Sequence, residues 1–131
     1  MWPFRRRGNL PLGARGERLA KRFLKRRGLK ILATNYRCPA GEADLIVLDR
    51  STRKHFGAET IVFVEVKTRS SDRYTDPDAA VDREKRRRLN RVADCYVASR
   101  NAEDLNLRFD IVSIVAPDGR KPRIEYLPDA F

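Results

Sequence analysis

A chain of 131 residues and 15.2 kDa has room for one hydrophobic core and excludes a multidomain machine. Its 41% hydrophobic and 36% charged residues suit a folded domain, and 29 Lys and Arg against 18 Asp and Glu leave a net charge of +11, which points to a polyanionic partner, nucleic acid first. No stretch reaches the roughly 18 apolar residues of a membrane span and no signal-type apolar segment follows the first arginines, so the expectation is a cytoplasmic protein with no membrane partner.

The predicted elements begin after a basic arm, residues 1–11, in which Arg5, Arg6 and Arg7 are interleaved with Trp2 and Phe4. Cations beside aromatics can hold a phosphate backbone and stack an unpaired base, although a plain solvated arm has the same composition. Residues 12–131 then read as a single domain. Leu12 to Arg27 is expected to be a helix stopped by Gly28, with Leu12, Leu19, Ala20, Phe23 and Leu24 as its apolar stripe. Glu17 lies three residues before Ala20 and seven before Leu24, so it projects near the buried face. The alternative is an ordinary acid favoured by the helix N-terminus.

Leu29 to Arg37, Glu42 to Leu48 and Thr60 to Thr68 read as three successive strands forming an antiparallel meander. The 49–59 connection has no periodicity and reads as an exposed hairpin loop without chemistry. Asp76-Pro77 opens a helix expected to run to about Arg100 along Val81, Leu89, Val92, Ala93, Tyr96 and Val97. Leu107 to Val115 follows as a strand parallel to the third, and Lys121 to Leu127 as a short edge strand. The order αβββαβ predicts an α/β fold, a mixed sheet flanked by helices. Basic charge is uneven along it: residues 1–30 hold eleven basic and one acidic residue, and residues 82–91 hold six and two.

Period-two alternation puts Glu42, Asp44 and Ile46 on one face of the second strand and Phe63, Glu65 and Lys67 on one face of the third. An ionised carboxylate on strands this apolar costs several kcal/mol unless something positive compensates it. If Asp44 and Glu65 meet across neighbouring strands they repel, and with the Val66 carbonyl they form a hard oxygen site suited to Mg²⁺ or Mn²⁺. Lys67 stands about 6.5 Å further along that face, at about 3.3 Å per residue. From there it can position and help deprotonate an attacking water or stabilise charge developing on phosphorus. The bland reading of this trio is a structural ion-pair cluster. Glu42, at the strand entrance, is equally a turn residue. Asp110 reads as a structural acid, and His55 as a solvated loop residue. Cys38 and Cys95 have no paired spacing, which argues against zinc fingers and disulfide scaffolds.

The run Gly41-Glu42-Ala43-Asp44-Leu45-Ile46 followed by Phe63-Val64-Glu65-Val66-Lys67-Thr68-Arg69 resembles the PD-(D/E)xK nuclease signature. With Gly16-Glu17, Asn35-Tyr36-Arg37, Lys85 and Arg108-Phe109-Asp110, the chain is similar to the bacterial YraN-like endonuclease-related family, itself distantly similar to archaeal Holliday junction resolvases. The resemblance implies a restriction-endonuclease-like fold, catalytic positions at Asp44, Glu65 and Lys67, and an additional helix carboxylate at Glu17. Ala43 stands where the family usually has a larger aliphatic residue.

The expected function is metal-dependent hydrolysis of phosphodiester bonds in branched or structured DNA. Asp44, Glu65, Val66 and Glu17 would hold the metal. Arg5, Arg6, Arg7, Arg15, Arg69, Lys85 and Arg86 would contact the nucleic acid. The alternative is a noncatalytic nucleic-acid-binding or assembly protein on the same scaffold. A homodimer is expected only through the resemblance to resolvases, which make two symmetric cuts.

Overall fold

A computed structural model of the chain describes residues 11–70 and 83–131. Helix α1 (Leu12–Arg26) starts behind Pro11 and ends where Gly28 takes a left-handed φ of 86°, as a glycine can at no steric cost. Ala20 and Leu24 are buried beneath it, and its Lys and Arg residues cover the solvent side, the expected amphipathic division.

Three strands follow, β1 (Lys30–Cys38), β2 (Gly41–Asp49) and β3 (Thr60–Arg69), paired antiparallel as β1–β2 and β2–β3. Helix α3 (Arg83–Arg100) leads into β4 (Asn106–Val115), which runs parallel to β3. Strand β5 (Arg123–Leu127) closes the edge antiparallel to β4. The result is an α/β fold with a mixed sheet in the order β1-β2-β3-β4-β5, consistent with a restriction-endonuclease-like core. No helix among the described residues is long and apolar enough to cross a membrane.

Two apolar layers hold the sheet. On the α1 side Leu24, Leu45, Val47, Val62, Val64, Val112 and Ile114 pack together. On the α3 side Ile46, Ile61, Phe63, Val92 and Tyr96 do so, with Tyr96 edge-on to both Tyr36 and Phe63 at 5.2 and 6.0 Å between ring centres. A sheet covered on both faces explains why β3 reads as a nearly continuous apolar run.

Several sequence expectations shift. The 49–59 connection is not a bare loop: a 3₁₀ turn (Arg50–Thr52) and a one-turn helix, α2 (Arg53–Phe56), occupy it. Thr52 is buried there against Thr60, with 2.8 Å between hydroxyls. Single turns are too short to leave a periodic signature. The edge strand begins at Arg123 rather than Lys121. Strict alternation also fails on β2, because Ala43 and Ile46 both pack on the α3 side while Leu45 packs on the α1 side. Across the pair, Asn35 adopts a positive φ of 51°, and the register slips between Ile31 and Ala33. These are the local distortions that break a pleat. The arm with Arg5, Arg6 and Arg7, and the expected helix start at Asp76-Pro77 with Val81, lie outside the described residues.

Candidate active site

The β2–β3 ladder runs from Asp49↔Thr60 to Leu45↔Val64 and stops there. At that point a side chain replaces the backbone partner: the Val66 N–H donates to Asp44 Oδ2 at 2.8 Å. A residue's N–H and C=O lie on the same edge of a strand, so the Val66 carbonyl shares the edge beside Asp44. Glu65, one residue earlier on β3, accepts from Lys85 Nζ of α3 at 2.6 Å.

The electrostatics join these residues. Burial pushes the Asp44 carboxyl up from its ordinary 3.8 to about 6; the Val66 hydrogen bond opposes this, Glu65 and Glu17 add to it, and Lys85 opposes it. Burial works against the Lys85 ammonium, but its hydrogen bond and attraction to Glu65 hold its pKa above the ordinary value, with help from Asp44. Lys67 also lies beside Lys85. Asp44 and Glu65 are therefore neighbours, and Lys67, expected from the sequence to share their place, adjoins Lys85.

Asp44, Glu65 and Lys85 line a cleft of about 700 Å³ together with Arg37 and Arg88. Gly41, on the hairpin between β1 and β2, has a φ of 145° and its Cβ position lies 3.4 Å from Val92. Close approach of that turn to α3 shapes the cleft wall.

Glu17 is set differently from the strand acids. It lies beyond the first turn of α1, which removes the helix-terminus explanation for it. Its Oε1 accepts from Asn35 Nδ2 at 3.0 Å, and its charge reaches Asp44. The preceding Gly16 lets α1 press onto β3, since a Cβ there would stand 2.0 Å from Thr68 Oγ1. Among the described residues no three His, Cys, Asp or Glu side chains converge as a metal cage. Asp44 and Glu65 with the Val66 carbonyl are the oxygen donors at hand, and Glu17 is tied to Asn35.

The basic residues expected at nucleic acid fall in separate places. Lys85 points inward onto Glu65 instead of outward to a backbone. Arg86 is exposed on α3. Arg69 lines another cleft with Arg123 and Glu125, and Arg15 is half-buried on α1 beside Gly16. Glu42 is exposed and pairs with Arg37 at 3.1 Å, the turn role. Arg88 at the cleft was legible as the residue one helical turn after Lys85. Asn35 as the holder of Glu17 had no signal beyond its place in the resemblance. The two thiols, distant in sequence, are neighbours across β1 and α3, where contact with Cys38 and burial push the Cys95 thiol up.

A model of the Uncharacterised protein family UPF0102 matches residues 16–114. A UPF0102 protein of Geobacter metallireducens is 42% identical over 123 residues, 94% of this chain and 93% of that protein. One of Syntrophus aciditrophicus is 40% identical over 98% of this chain and 94% of its own length. One of Nocardia farcinica is 42% identical over 92% and 88% respectively.

Proposed function

We propose, from the premise that this chain belongs to the Uncharacterised protein family UPF0102, that it is a metal-dependent nuclease of PD-(D/E)xK type. Its substrate would be the phosphodiester backbone of branched or structured DNA. The observation that carries the reading is the sparsely compensated pair of acids: beside an open cleft and among the described residues, Asp44 accepts from one backbone N–H and Glu65 from one ammonium. A carboxylate kept this poorly compensated in a partly buried place needs a reason outside folding.

The donor set fits a hard divalent ion. Mg²⁺ and Mn²⁺ accept a few protein oxygens and complete their shell with water and phosphate, so Asp44, Glu65 and the Val66 carbonyl suffice without a third carboxylate. Such an ion would supply charge neutralisation at the phosphate and a more acidic water. Lys67, beside the acids, orients the attacking water and stabilises negative charge on the phosphoryl oxygens. Glu17, fixed by Asn35, adds to the negative potential at Asp44. Arg37 and Arg88 at the cleft, with Arg86 nearby on α3, attract the backbone without reading bases. DNA rather than RNA, and action as a homodimer on junctions, belong to the resemblance to resolvases.

Incubating the protein with duplex, nicked, flapped and four-way-junction DNA in Mg²⁺ or Mn²⁺ tests the proposal. The parent should give metal-dependent product, while Glu65→Ala and Lys67→Ala should each lose at least about a hundredfold in rate. Absence of product from the parent, or equal product from the variants, would leave a noncatalytic nucleic-acid-binding protein.

A further inference from the structure

We propose that the Lys85 ammonium is a built-in counter-ion holding the cation position at Glu65, and that a divalent ion and Lys85 exclude one another there. The inference rests on the metal-site reading above and goes beyond it by naming what the ion must displace. Lys85 Nζ and Glu65 Oε1 are 2.6 Å apart, in side chains 30% and 16% exposed. A contact this short between largely enclosed groups is a strong charge-assisted hydrogen bond that a competing cation must weaken or replace.

Lys85 serves both acids. Its charge offsets Asp44 as well as Glu65, which is what a cation seated between two repelling carboxylates would do. Lys67 is beside it and helps to hold its pKa above the ordinary value. An incoming ion brings two charges where Lys85 brings one, and the two cations repel across the Glu65 carboxylate that both would hold. The flexible four-carbon stem allows Lys85 to leave without disturbing α3.

The test is Mn²⁺ binding to the full chain, followed by calorimetry and by electron paramagnetic resonance, in the parent, Lys85→Met, Lys85→Arg and Asp44→Asn. Removal of the competitor should tighten Mn²⁺ binding in Lys85→Met by about fivefold or more, whereas Lys85→Arg should stay as weak as the parent. Melting curves should agree: Lys85→Met melts below the parent in chelator and gains more than the parent from saturating Mn²⁺. If Lys85→Met does not fold, Lys85→Gln, which still donates to Glu65 without the charge, takes its place. Unchanged or weaker Mn²⁺ binding in the folded Lys85 variant overturns the exchange and leaves the metal site standing. Mn²⁺ binding that is absent, or that Asp44→Asn does not diminish, overturns the metal reading and the exchange with it.

Discussion

Two aspartates set into the same sheet, Asp44 on β2 and Asp110 on β4, are treated in opposite ways. Asp110 is fully buried. It accepts from Arg108 Nε at 2.9 Å and Nη2 at 3.1 Å, from the Tyr126 hydroxyl, and from the Asp129 N–H at 2.9 Å. Arg108 reaches a second carboxylate as well, Asp49 Oδ2 at 2.9 Å. The pairing outweighs the burial that opposes the guanidinium charge and holds the Arg108 pKa above its ordinary range. Burial and the bond to Asp110 push the Tyr126 phenol up to about 12. Every lone pair of Asp110 that matters is answered, so nothing remains for a ligand. Asp44, less buried, has one backbone donor and two acidic neighbours. Degree of compensation, more than burial, separates an acid that fastens the fold from the acid on which the proposed cation site rests.

The largest expected effect breaks the satisfied side of that comparison. Arg108→Met keeps an unbranched apolar stem but removes the fork from Asp110 and the bond to Asp49, leaving a fully buried carboxylate with one hydroxyl and one N–H. Removing one partner of a buried pair costs about 3–5 kcal/mol, to be read from urea unfolding at neutral pH. A loss below about 1 kcal/mol would mean that the network is decorative. Cleavage per folded molecule should be unchanged, because the cluster lies outside the Asp44 cleft.

A middle-sized effect is expected at Gly16. Its Cβ position is 2.0 Å from Thr68 Oγ1 and 2.9 Å from Thr68 Cβ, so rotating the threonine cannot make room and α1 must lift from β3. Overpacking of this kind costs about 1–3 kcal/mol. Because Glu17 is the next residue, Gly16→Ala should also pull the carboxylate from Asn35 and lower cleavage beyond the loss of folded protein. Gly16→Ala paired with Thr68→Ala should recover much of both losses, and no recovery in the pair would sink the contact as their cause.

The sequence made the strand order, the antiparallel meander and the parallel return legible because apolar runs and alternating patterns are properties of single elements. The closeness of Asp44 and Glu65 was legible for the same reason: each is an acid on an apolar strand, where a compensating charge is demanded. Lys85 onto Glu65, Asn35 onto Glu17 and Arg108 onto Asp49 join residues 18 to 59 positions apart, and no local period encodes such distances. The 49–59 segment misled because turns one residue cycle long look like loops. The break of alternation at Ala43 to Ile46 lies opposite Asn35, whose positive φ is a backbone conformation that composition does not announce.

The smallest effect sharpens the unsatisfied side and works through pH. The folded pKa of Asp44, about 6, lies above the 3.8 of an exposed carboxyl, so in metal-free solution the folded chain holds that proton longer than the unfolded chain. Its contribution to stability is therefore fully present below about pH 4, is lost as pH rises through the window from 4 to 6, and is constant above it. Asp44→Asn keeps an oxygen for the Val66 N–H but has no charge to desolvate or to be repelled by Glu65 and Glu17. In chelator the variant should match the parent near pH 3.5 and exceed it by about 1–2 kcal/mol at pH 7.5, a figure reduced for the solvent that still reaches the group. Chemical unfolding at half-unit pH steps reads the difference directly. A gap that opens between pH 4 and 6 locates the deficit in the carboxylate's charge, whereas a pH-independent gap would place it in the hydrogen bond to Val66 and remove the electrostatic case for a cation at this acid.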